Sequence, residues 1–309
     1  YAKAALRDLL LLQGDRAGAA AQNRDLGFVT SFAILGPFDN DGRRGHAAVY
    51  PPEQEERAPG AEQTYEGRHA RLPLHWRLVP PEMLARDGSL RIDPWMSPDT
   101  QGTVYAVSYV RSAAAQRVAV RVGSSGPVKV WVNRGSAPVI NSDAYRPMRM
   151  DQDAGGAQLV AGWNRILVKL SSGDRPWSIA LRLTAPDGSP LPATAIATSA
   201  QPPAPDWTIP KTVAAVGAAG AVAVAHVGRA LQERYTRVPA RDVGARAAAG
   251  QDLGTYLHYV HPLDVEKHED ETVLAEAVAA RPSRRGYLLL SQATHEINER
   301  RRAIEAGLQ

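Results

Sequence analysis

The sequence reads GSSGPVKVWVNRG from Gly123 to Gly135 and LVAGWNRILVKL from Leu159 to Leu170. In Val128–Val132 a valine occupies every second position, which is the period of a β-strand with one buried face. Asn133 follows this run, and the Gly162–Asn164 triplet precedes the next apolar run, as turn residues do at strand ends. The two segments therefore predict antiparallel strands connected by turns.

The same pattern recurs along the middle of the chain. Strand-like segments cover residues 28–35, 71–79, 103–110, 116–122, 128–133, 164–170 and 177–184. In 116–122, for example, Val118, Val120 and Val122 alternate with Arg117, Ala119 and Arg121. Turn residues such as Pro186, Asp187 and Gly188 separate these segments, with no helical pattern between them. Short strands in this order predict an antiparallel sandwich or jelly roll.

Helical periodicity flanks the predicted sandwich on both sides. Residues 1–27 have leucines and alanines at helical spacing, with a break at Gly14 and Asp15. Residues 191–207 are rich in Pro, Ala, Ser and Thr and predict a linker. Residues 208–309 predict helices, with breaks at Pro282 and before Asn298. The fold class is therefore α+β and multidomain: a helical segment at 1–27, a sandwich at 28–190, a linker and an all-α domain.

Composition excludes several classes of function. The net charge is +4, but only five of the 36 cationic residues are lysines, and the arginines are scattered rather than grouped in a stripe. We therefore expect no nucleic-acid partner. The chain has no cysteine, which excludes disulfides, thiolate metal ligands and cysteine nucleophiles. Cysteine content leaves the compartment open between the cytosol and the periplasm.

The most apolar stretch, TVAAVGAAGAVAVAHVG at Thr212–Gly228, raises the question of a membrane span. It is shorter than the roughly 20 apolar residues that a spanning helix needs, and it contains His226 but no Leu, Ile or Phe. Its small residues suit close packing between helices instead. We expect a helix packed within the protein and no membrane span.

The segments from Gly123 to Asn164 resemble the galactose-binding-like jelly-roll accessory domains of bacterial glycosidases and surface proteins. The matching residues are Gly123, Gly126, Trp131, Asn133, Gly162, Trp163 and Asn164. Ser124 and Ser125 stand where acidic residues are common in that family, and Arg134 stands where Gly is common. The resemblance covers roughly residues 28–190 and implies the sandwich fold. It leaves the ligand open, because this fold hosts binding domains and spacers alike.

The flanking helices resemble tetratricopeptide-like repeats, most clearly at AVAARPSRRGYLLLSQA. Larger bacterial proteins that combine such repeats with a sandwich and a transglutaminase-like domain are similar in layout. The resemblance implies that this chain is a fragment of such a protein without its catalytic part. It favours a periplasmic or cell-envelope location over the cytoplasm.

Aromatic side chains are the candidate ligand-binding residues. A pyranose ring packs on an exposed aromatic face, so a sugar platform could form from Trp76, Trp95, Tyr50, Tyr105 and Tyr109. The alternative is that most of these rings fill a core, as we expect for Trp131, Trp163 and Trp177.

Other polar motifs are interpreted as structural. Asp39–Gly42 has the carboxylates of a calcium loop but lacks the later ligands of an EF-hand, which favours a turn. His258, His261 and His268 lie around Pro262 in a charged stretch, which favours a solvated loop over a zinc site. The serines of GSSG are expected to be turn residues, because that motif is not a nucleophile elbow. We therefore expect no metal site and no cofactor.

These observations favour a non-catalytic scaffold that binds protein partners over an enzyme. A carbohydrate-binding module is the alternative. For catalysis a hydrolase needs a nucleophile or tuned carboxylates in a pocket, and no motif indicates either. Helical repeats commonly hold peptides or other domains on extended surfaces.

Overall fold

A computed structural model describes residues 2–60, 62–68, 73–80, 84–85, 88–135, 137–146, 148–173, 177–192, 194–212, 227–259, 269–294 and 296–308. These residues form antiparallel sheets together with α-helices, which confirms the predicted α+β class with a β-sandwich and helical segments. The chain divides into two compact units, Tyr1–Val224 and Ala225–Gln309.

The first unit opens with two helices, α1 (Ala2–Leu12) and α2 (Arg16–Asp25). They are separated where the sequence predicts a break. Asp15 also begins α2, because its carboxylate accepts a 2.8 Å hydrogen bond from the backbone nitrogen of Gly18. An N-cap of this kind stabilises a helix by about 1 kcal/mol.

Thirteen strands follow among the described residues of the first unit. They are β1 (Ala33–Asp39), β2 (Tyr65–Glu66), β3 (Pro73–Leu74), β4 (Arg77–Leu78), β5 (Leu90–Arg91), β6 (Gly102–Ser112), β7 (Gln116–Ser124), β8 (Val128–Val132), β9 (Ile140–Ser142), β10 (Asp153–Leu159), β11 (Gly162–Ser171), β12 (Ser178–Thr184) and β13 (Ile196–Ser199). The larger sheet has the order β4-β1-β6-β11-β8-β9, with β13 also paired to β6. The smaller sheet has the order β10-β7-β12-β5, and β2 pairs with β3. All these pairs are antiparallel.

The two larger sheets enclose one apolar core. The valines at alternate positions of β7 and β8 enter it, and Trp177 is 0% exposed. Each fully buried aliphatic or aromatic side chain stabilises the fold by about 1.5–3 kcal/mol. The period-2 pattern therefore identified this core from the sequence.

The turn residues of the two quoted segments are structural. The Ser124 hydroxyl donates a 2.8 Å hydrogen bond to the carbonyl of Gly126. The Ser125 hydroxyl accepts a 2.9 Å hydrogen bond from the backbone of Ser178. Ser125 lies in the turn, as predicted, whereas Ser124 is the last residue of β7. Asn133 and Asn164 are 0% exposed.

The sandwich extends beyond the predicted boundary at residue 190. Within the predicted linker 191–207, β13 pairs with β6 in the register Ile196↔Ser112 to Ser199↔Tyr109. The backbone of Trp207 accepts a 2.8 Å hydrogen bond from Ala58, and the Thr212 hydroxyl donates to Val132 at 2.7 Å. Composition missed this strand because edge pairing needs only backbone groups, which small residues supply as well as large ones.

The second unit contains α3 (Val227–Arg237), α4 (Val243–Tyr259), α5 (Glu269–Ala280), α6 (Arg284–Ala293) and α7 (Ile297–Leu308). Each helix packs against the next along the chain. The Ser283 hydroxyl caps α6 by accepting a 3.1 Å hydrogen bond from Gly286, directly after the predicted break at Pro282. The resemblance to tetratricopeptide-like repeats stays a prediction.

Close packing of α4 on α5 depends on two glycines. A Cβ atom on Gly254 would lie 2.5 Å from Cγ of Leu274, and one on Gly250 would lie 2.9 Å from Cβ of Ala277. Leu274 and Ala277 are buried. The small residues of α4 therefore allow close helix contact in this unit.

The predicted helix at Thr212–Gly228 lies largely outside the described residues, which omit 213–226. Of the helices that the structure does describe, none has the length and apolarity for a membrane crossing.

Candidate binding site

The larger sheet carries apolar side chains on both of its faces. Along β6, Val104, Ala106 and Val110 enter the sandwich core, whereas Tyr105 and Tyr109 belong to a second cluster on the opposite face. Loop residues such as Ala58 and Trp207 pack in the same cluster and cover it. We call this opposite side of the larger sheet the outer face. Its buried members are Ala33, Leu35, Phe38, Ala58, Tyr65, Leu74, Tyr105, Val107, Tyr109, Trp131 and Leu167.

A buried ion pair attaches the loop before β2 to this face. Nζ of Lys169 on β11 lies 2.8 Å from Oε1 of Glu53, and their side chains are 0% and 9% exposed. The ammonium also donates to the carbonyl of Ala48. It lies 5.2 Å from the ring centre of Tyr50 and 5.8 Å from that of Tyr105. Burial lowers the pKa of Lys169, and Glu53 opposes this shift.

A second buried pair lies two residues further along the loop. Nη1 of Arg165, also on β11, is 3.4 Å from Oε2 of Glu55, and the side chains are 3% and 11% exposed. The Tyr65 hydroxyl donates to the other oxygen of Glu55. Burial raises the pKa of Glu55, although Tyr65 and Arg165 both favour the carboxylate. Two cations four residues apart on one strand thus bind two carboxylates two residues apart on the loop.

This network reaches a pocket through Trp76. The indole Nε1 of Trp76 donates a 3.2 Å hydrogen bond to the Tyr65 hydroxyl. On the outer face, the Trp76 pocket encloses about 460 Å³ and is lined by Ala33, Pro59, Gly60, Trp76, Leu78, Val107, Tyr109, Ala200, Gln201, Pro202 and Pro205. Gln201 has the only side-chain amide among these residues, and none of them is charged.

The position of the Trp76 pocket follows from how two strands share one edge of β6. β1 pairs with Gly102–Val107, and β13 pairs with Tyr109–Ser112. The two strands therefore meet near Ser108. The chain leaves β13 at this junction, and residues 200–205 form one wall of the pocket. Sheet topology thus places Val107 and Tyr109 in its floor.

Tyr109 contributes an almost fully buried aromatic ring to the floor of the pocket. Its ring meets Trp207 edge to face, with the ring centres 5.8 Å apart. Burial raises the pKa of Tyr109 to about 12, so its hydroxyl stays protonated at neutral pH. The residue is 2% exposed, and its hydroxyl interacts electrostatically with Arg165 and Glu55 of the buried network.

The structure separates the aromatic residues that the sequence grouped. Trp76 and Tyr109 line the Trp76 pocket. Tyr50 and Tyr105 lie in the same outer-face cluster, but Tyr105 is 0% exposed and its hydroxyl donates to Glu53. Trp95 packs against the core between the sheets instead. The predicted set therefore does not form one exposed platform.

The calcium-like motif is held within the fold. The Asn40 side chain donates a 2.7 Å hydrogen bond to the carbonyl of Ser172 and accepts one of 2.9 Å from Gly45. Asp41 pairs with Arg68 at 3.1 Å. Residues Asp41–Arg43 form a short 3₁₀ turn, so this segment adopts the predicted turn.

The histidine motif is described only in part. Nδ1 of His258 at the end of α4 lies 3.0 Å from the buried carboxylate of Asp270 at the start of α5. His261 and His268 lie outside the described residues. Within the described residues, no three metal-ligating side chains converge.

Sequence reasoning missed Glu53, Glu55, Tyr65, Arg165 and Lys169. One signal was present: Arg165 and Lys169 are spaced four apart in NRILVKL, so they share a strand face that also carries Leu167. Two cations on an otherwise apolar face indicate buried partners, because an unpaired buried charge is costly.

Two solved structures are similar to parts of this chain at low sequence identity. No protein-family model matches the chain, and no curated protein matches it. The PA14 domain of the MpAFP antifreeze protein matches with 16% identity and a TM-score of 0.24 over 32% of this chain. The chain spans about half of that structure, 52%. A β-glucosidase from Kluyveromyces marxianus matches with 6% identity and a TM-score of 0.27, over 63% of this chain and 20% of the enzyme. With TM-scores this low, neither similarity bears on the function of this chain.

Proposed function

We propose that this chain is a non-catalytic binding unit whose Trp76 pocket receives an apolar group of a protein partner. The observation that carries the proposal is the lining of the pocket, which combines an indole, a phenol ring, prolines and aliphatic side chains. Anchor side chains of protein partners bind in pockets of this kind. The volume of about 460 Å³ is sufficient for a leucine, proline or aromatic side chain.

The two carboxylates of the outer-face ion pairs support a role without catalysis. Glu53 and Glu55 are paired with Lys169 and Arg165, and their side chains are 9% and 11% exposed. A general acid or base must come within hydrogen-bond distance of its substrate. Carboxylates that are held against the sheet in ion pairs suit the attachment of a loop better than proton transfer.

The second unit supports the scaffold role. Ile297 and Leu308 at the two ends of α7 are 75% and 68% exposed. Single exposed apolar residues are common on protein surfaces, so the proposal for this unit rests mainly on its predicted tetratricopeptide-like repeats, which commonly hold peptides or other domains. We propose that this unit provides a second protein-binding surface in the same chain.

A carbohydrate is the second candidate ligand of the Trp76 pocket. The observation that favours it is that the partly buried indole of Trp76 lines the pocket together with the ring of Tyr109. A sugar ring stacks on an indole and needs hydrogen-bond donors at its edge. The uncharged lining favours the protein ligand, because sugar hydroxyls need more polar partners than this wall offers.

A parallel screen separates the two candidates. A displayed random-peptide library and a glycan array are probed with the full chain, with Trp76→Ala and with Trp95→Ala. We expect peptides with apolar anchors to bind the wild type and Trp95→Ala but not Trp76→Ala. Binding of a defined glycan with the same dependence would support the carbohydrate role instead. Binding that survives Trp76→Ala would exclude this pocket as the site.

A further inference from the structure

We infer that Tyr65 and Glu55 are positioning residues that fix the indole plane of Trp76 and so preform the wall of the Trp76 pocket. The inference rests on the proposed function, because it concerns how that pocket selects its ligand. Its basis is a continuous chain of hydrogen bonds and charge. Trp76 Nε1 donates to the Tyr65 hydroxyl at 3.2 Å, and that hydroxyl donates to Glu55.

The series of hydrogen bonds from Trp76 ends at Arg165, which has a fixed position in the larger sheet. Arg165 is 2% exposed, and its Nη1 lies 3.4 Å from Glu55 and from the carbonyl of Pro52. It is paired with Tyr109 across β6 and β11, within a register that runs without interruption from Gly162 to Ser171. The carboxylate is thus held by the most regular part of the larger sheet. A hydroxyl group that donates a hydrogen bond to that carboxylate is therefore also held in a fixed position.

The backbone around Trp76 is held by two short strand pairs, one on each side of the residue. Trp76 lies two residues after Leu74, at the end of the small β2–β3 pair. That pair has two residue partners, Tyr65↔Leu74 and Glu66↔Pro73. A two-stranded ribbon of this size is at best marginally stable by itself. On the other side of Trp76, Arg77 and Leu78 of β4 pair with β1 in the larger sheet. The backbone is thus fixed on both sides, and the hydrogen bond to Tyr65 acts on the side-chain torsions that set the orientation of the indole.

The Tyr65 hydroxyl is suited to this role because it is both donor and acceptor. Tyr65 is 4% exposed, and burial together with Glu55 raises its pKa, which keeps the phenol protonated. Its proton is directed to the carboxylate, which leaves its lone pairs for the indole N–H. A hydrogen bond to a carboxylate is roughly twice as strong as a neutral one. Glu55 thereby orients the hydroxyl that orients Trp76.

A preformed flat wall has a direct consequence for binding. An indole that is already held in place loses little conformational entropy when a ligand packs on it, and this raises affinity. It also favours flat or rigid apolar groups over flexible ones. We therefore expect loss of the Tyr65 hydroxyl to reduce affinity without any change in the groups that contact the ligand.

The test uses 19F NMR of the full chain labelled with 5-fluorotryptophan and needs no ligand. The chain has six tryptophans, so the Trp76 resonance is assigned by its loss in Trp76→Phe. We expect Tyr65→Phe to shift and broaden the Trp76 resonance while the other resonances keep their positions. Glu55→Gln keeps the Tyr65 ring, and we expect a smaller shift of the same resonance.

Tyr50→Phe is the matched control. It removes a hydroxyl that donates a 2.5 Å hydrogen bond to the carbonyl of Asp39 in the same outer-face cluster, outside the chain from Arg165 to Trp76. We expect the Trp76 resonance to be unchanged in this variant. An unchanged Trp76 resonance in both Tyr65→Phe and Glu55→Gln would overturn the inference. So would an equal shift in Tyr50→Phe.

A binding measurement completes the test. With a peptide selected on the wild type, we expect Tyr65→Phe to raise Kd about fivefold, which corresponds to the loss of one hydrogen bond of about 1 kcal/mol. An unchanged Kd would overturn the link between positioning and affinity. If the wild type binds no peptide or glycan, the proposed function fails, whereas the 19F result still decides whether Tyr65 and Glu55 position Trp76.

Discussion

The side-chain amide of Asn133 donates a 2.8 Å hydrogen bond to the side-chain oxygen of Asn164, and both residues are fully buried. Asn133 follows β8 in a left-handed conformation with φ of 63°, and its own oxygen accepts a 2.9 Å hydrogen bond from the backbone of Arg165. Asn164 also binds both backbone groups of Val160, at 2.9 and 3.0 Å. The two asparagines therefore stabilise the turn after β8 and the turn before β11.

We expect Asn164→Ala to destabilise the first unit by about 3 kcal/mol, because several buried backbone groups lose their partners at about 1–3 kcal/mol each. Asn133→Gly keeps the backbone conformation and loses the side-chain bonds, so its cost should be smaller. Urea unfolding followed by far-UV circular dichroism measures both. A double-mutant coupling near zero would contradict a direct interaction between the two side chains.

The sandwich was predictable from the sequence because the valines of β7 and β8 alternate with polar residues and are followed by turn residues. For the outer-face network the sequence contains only the spacing of Arg165 and Lys169, which indicates buried partners but does not identify them. Lys169 and Arg165 stand at positions where a strand with one solvent-exposed face carries polar residues. Their partners lie 116 and 110 residues away in the sequence. Those partners, Glu53 and Glu55, stand in a segment without strand pattern. Long-range pairing of this kind leaves no periodic signal in one sequence.

The candidate site, too, was only partly predictable from the sequence. Trp76 was among the predicted binding residues, but the wall formed by Pro202 and Pro205 was not, because their segment was interpreted as a linker. Tyr105 was grouped with Trp76 on residue type alone. Tyr105 is fully buried, whereas Trp76 is partly buried and lines the pocket. No local feature of the sequence indicates that Tyr109, rather than Tyr105, belongs to the pocket lining.

The Lys169–Glu53 pair gives a test by double-mutant cycle. Lys169→Met leaves the Glu53 carboxylate buried without its cation, and Glu53→Gln leaves the ammonium unpaired. We expect each single variant to lose about 3–5 kcal/mol of unfolding free energy. The double variant should lose clearly less than the sum, since neither residue is then charged. Additive losses in urea denaturation would show that the pair does not interact as the structure describes.

We predict that His46 contributes to the pH dependence of the stability of the first unit. Its Nε2 lies 2.9 Å from Oδ1 of Asn141, and burial lowers its pKa below 6.5, with Lys129 and Lys169 acting in the same direction. The unfolded chain therefore binds a proton at His46 more readily than the folded chain. Stability from this group is present above pH of about 6.5 and is lost as the pH falls through the lower folded pKa.

We expect His46→Gln to lose less thermal stability than the wild type between pH of about 7.5 and about 5.5. Differential scanning calorimetry of both proteins across that range provides the comparison. The titration of other groups is common to the two proteins and cancels in the difference. Identical pH profiles would show that His46 does not titrate with a lowered pKa.

Gly254 tests the close approach of α4 and α5. Gly254→Ala places a methyl group against Leu274, and we expect a loss of about 1–3 kcal/mol from overpacking. Gly244→Ala is the matched control near the start of the same helix, where the nearest atom, Nη1 of Arg281, would be 3.4 Å from the new Cβ. It should be neutral or slightly stabilising. Hydrogen exchange of the α4 and α5 amides in the full chain reports both, and equal protection in the two variants would contradict the packing.

The central claim, that the Trp76 pocket binds an apolar group of a partner, is tested most directly by placing a charge at its mouth. Leu78 lines the pocket and is 49% exposed, and Val49 is 60% exposed and lies outside the lining. Both can be changed to Glu at little cost in folding stability. For a peptide selected on the wild type, titration calorimetry should show a Kd at least about tenfold higher for Leu78→Glu, or about 1.4 kcal/mol, and an unchanged Kd for Val49→Glu. Equal affinity of wild type and Leu78→Glu would contradict the assignment of this pocket.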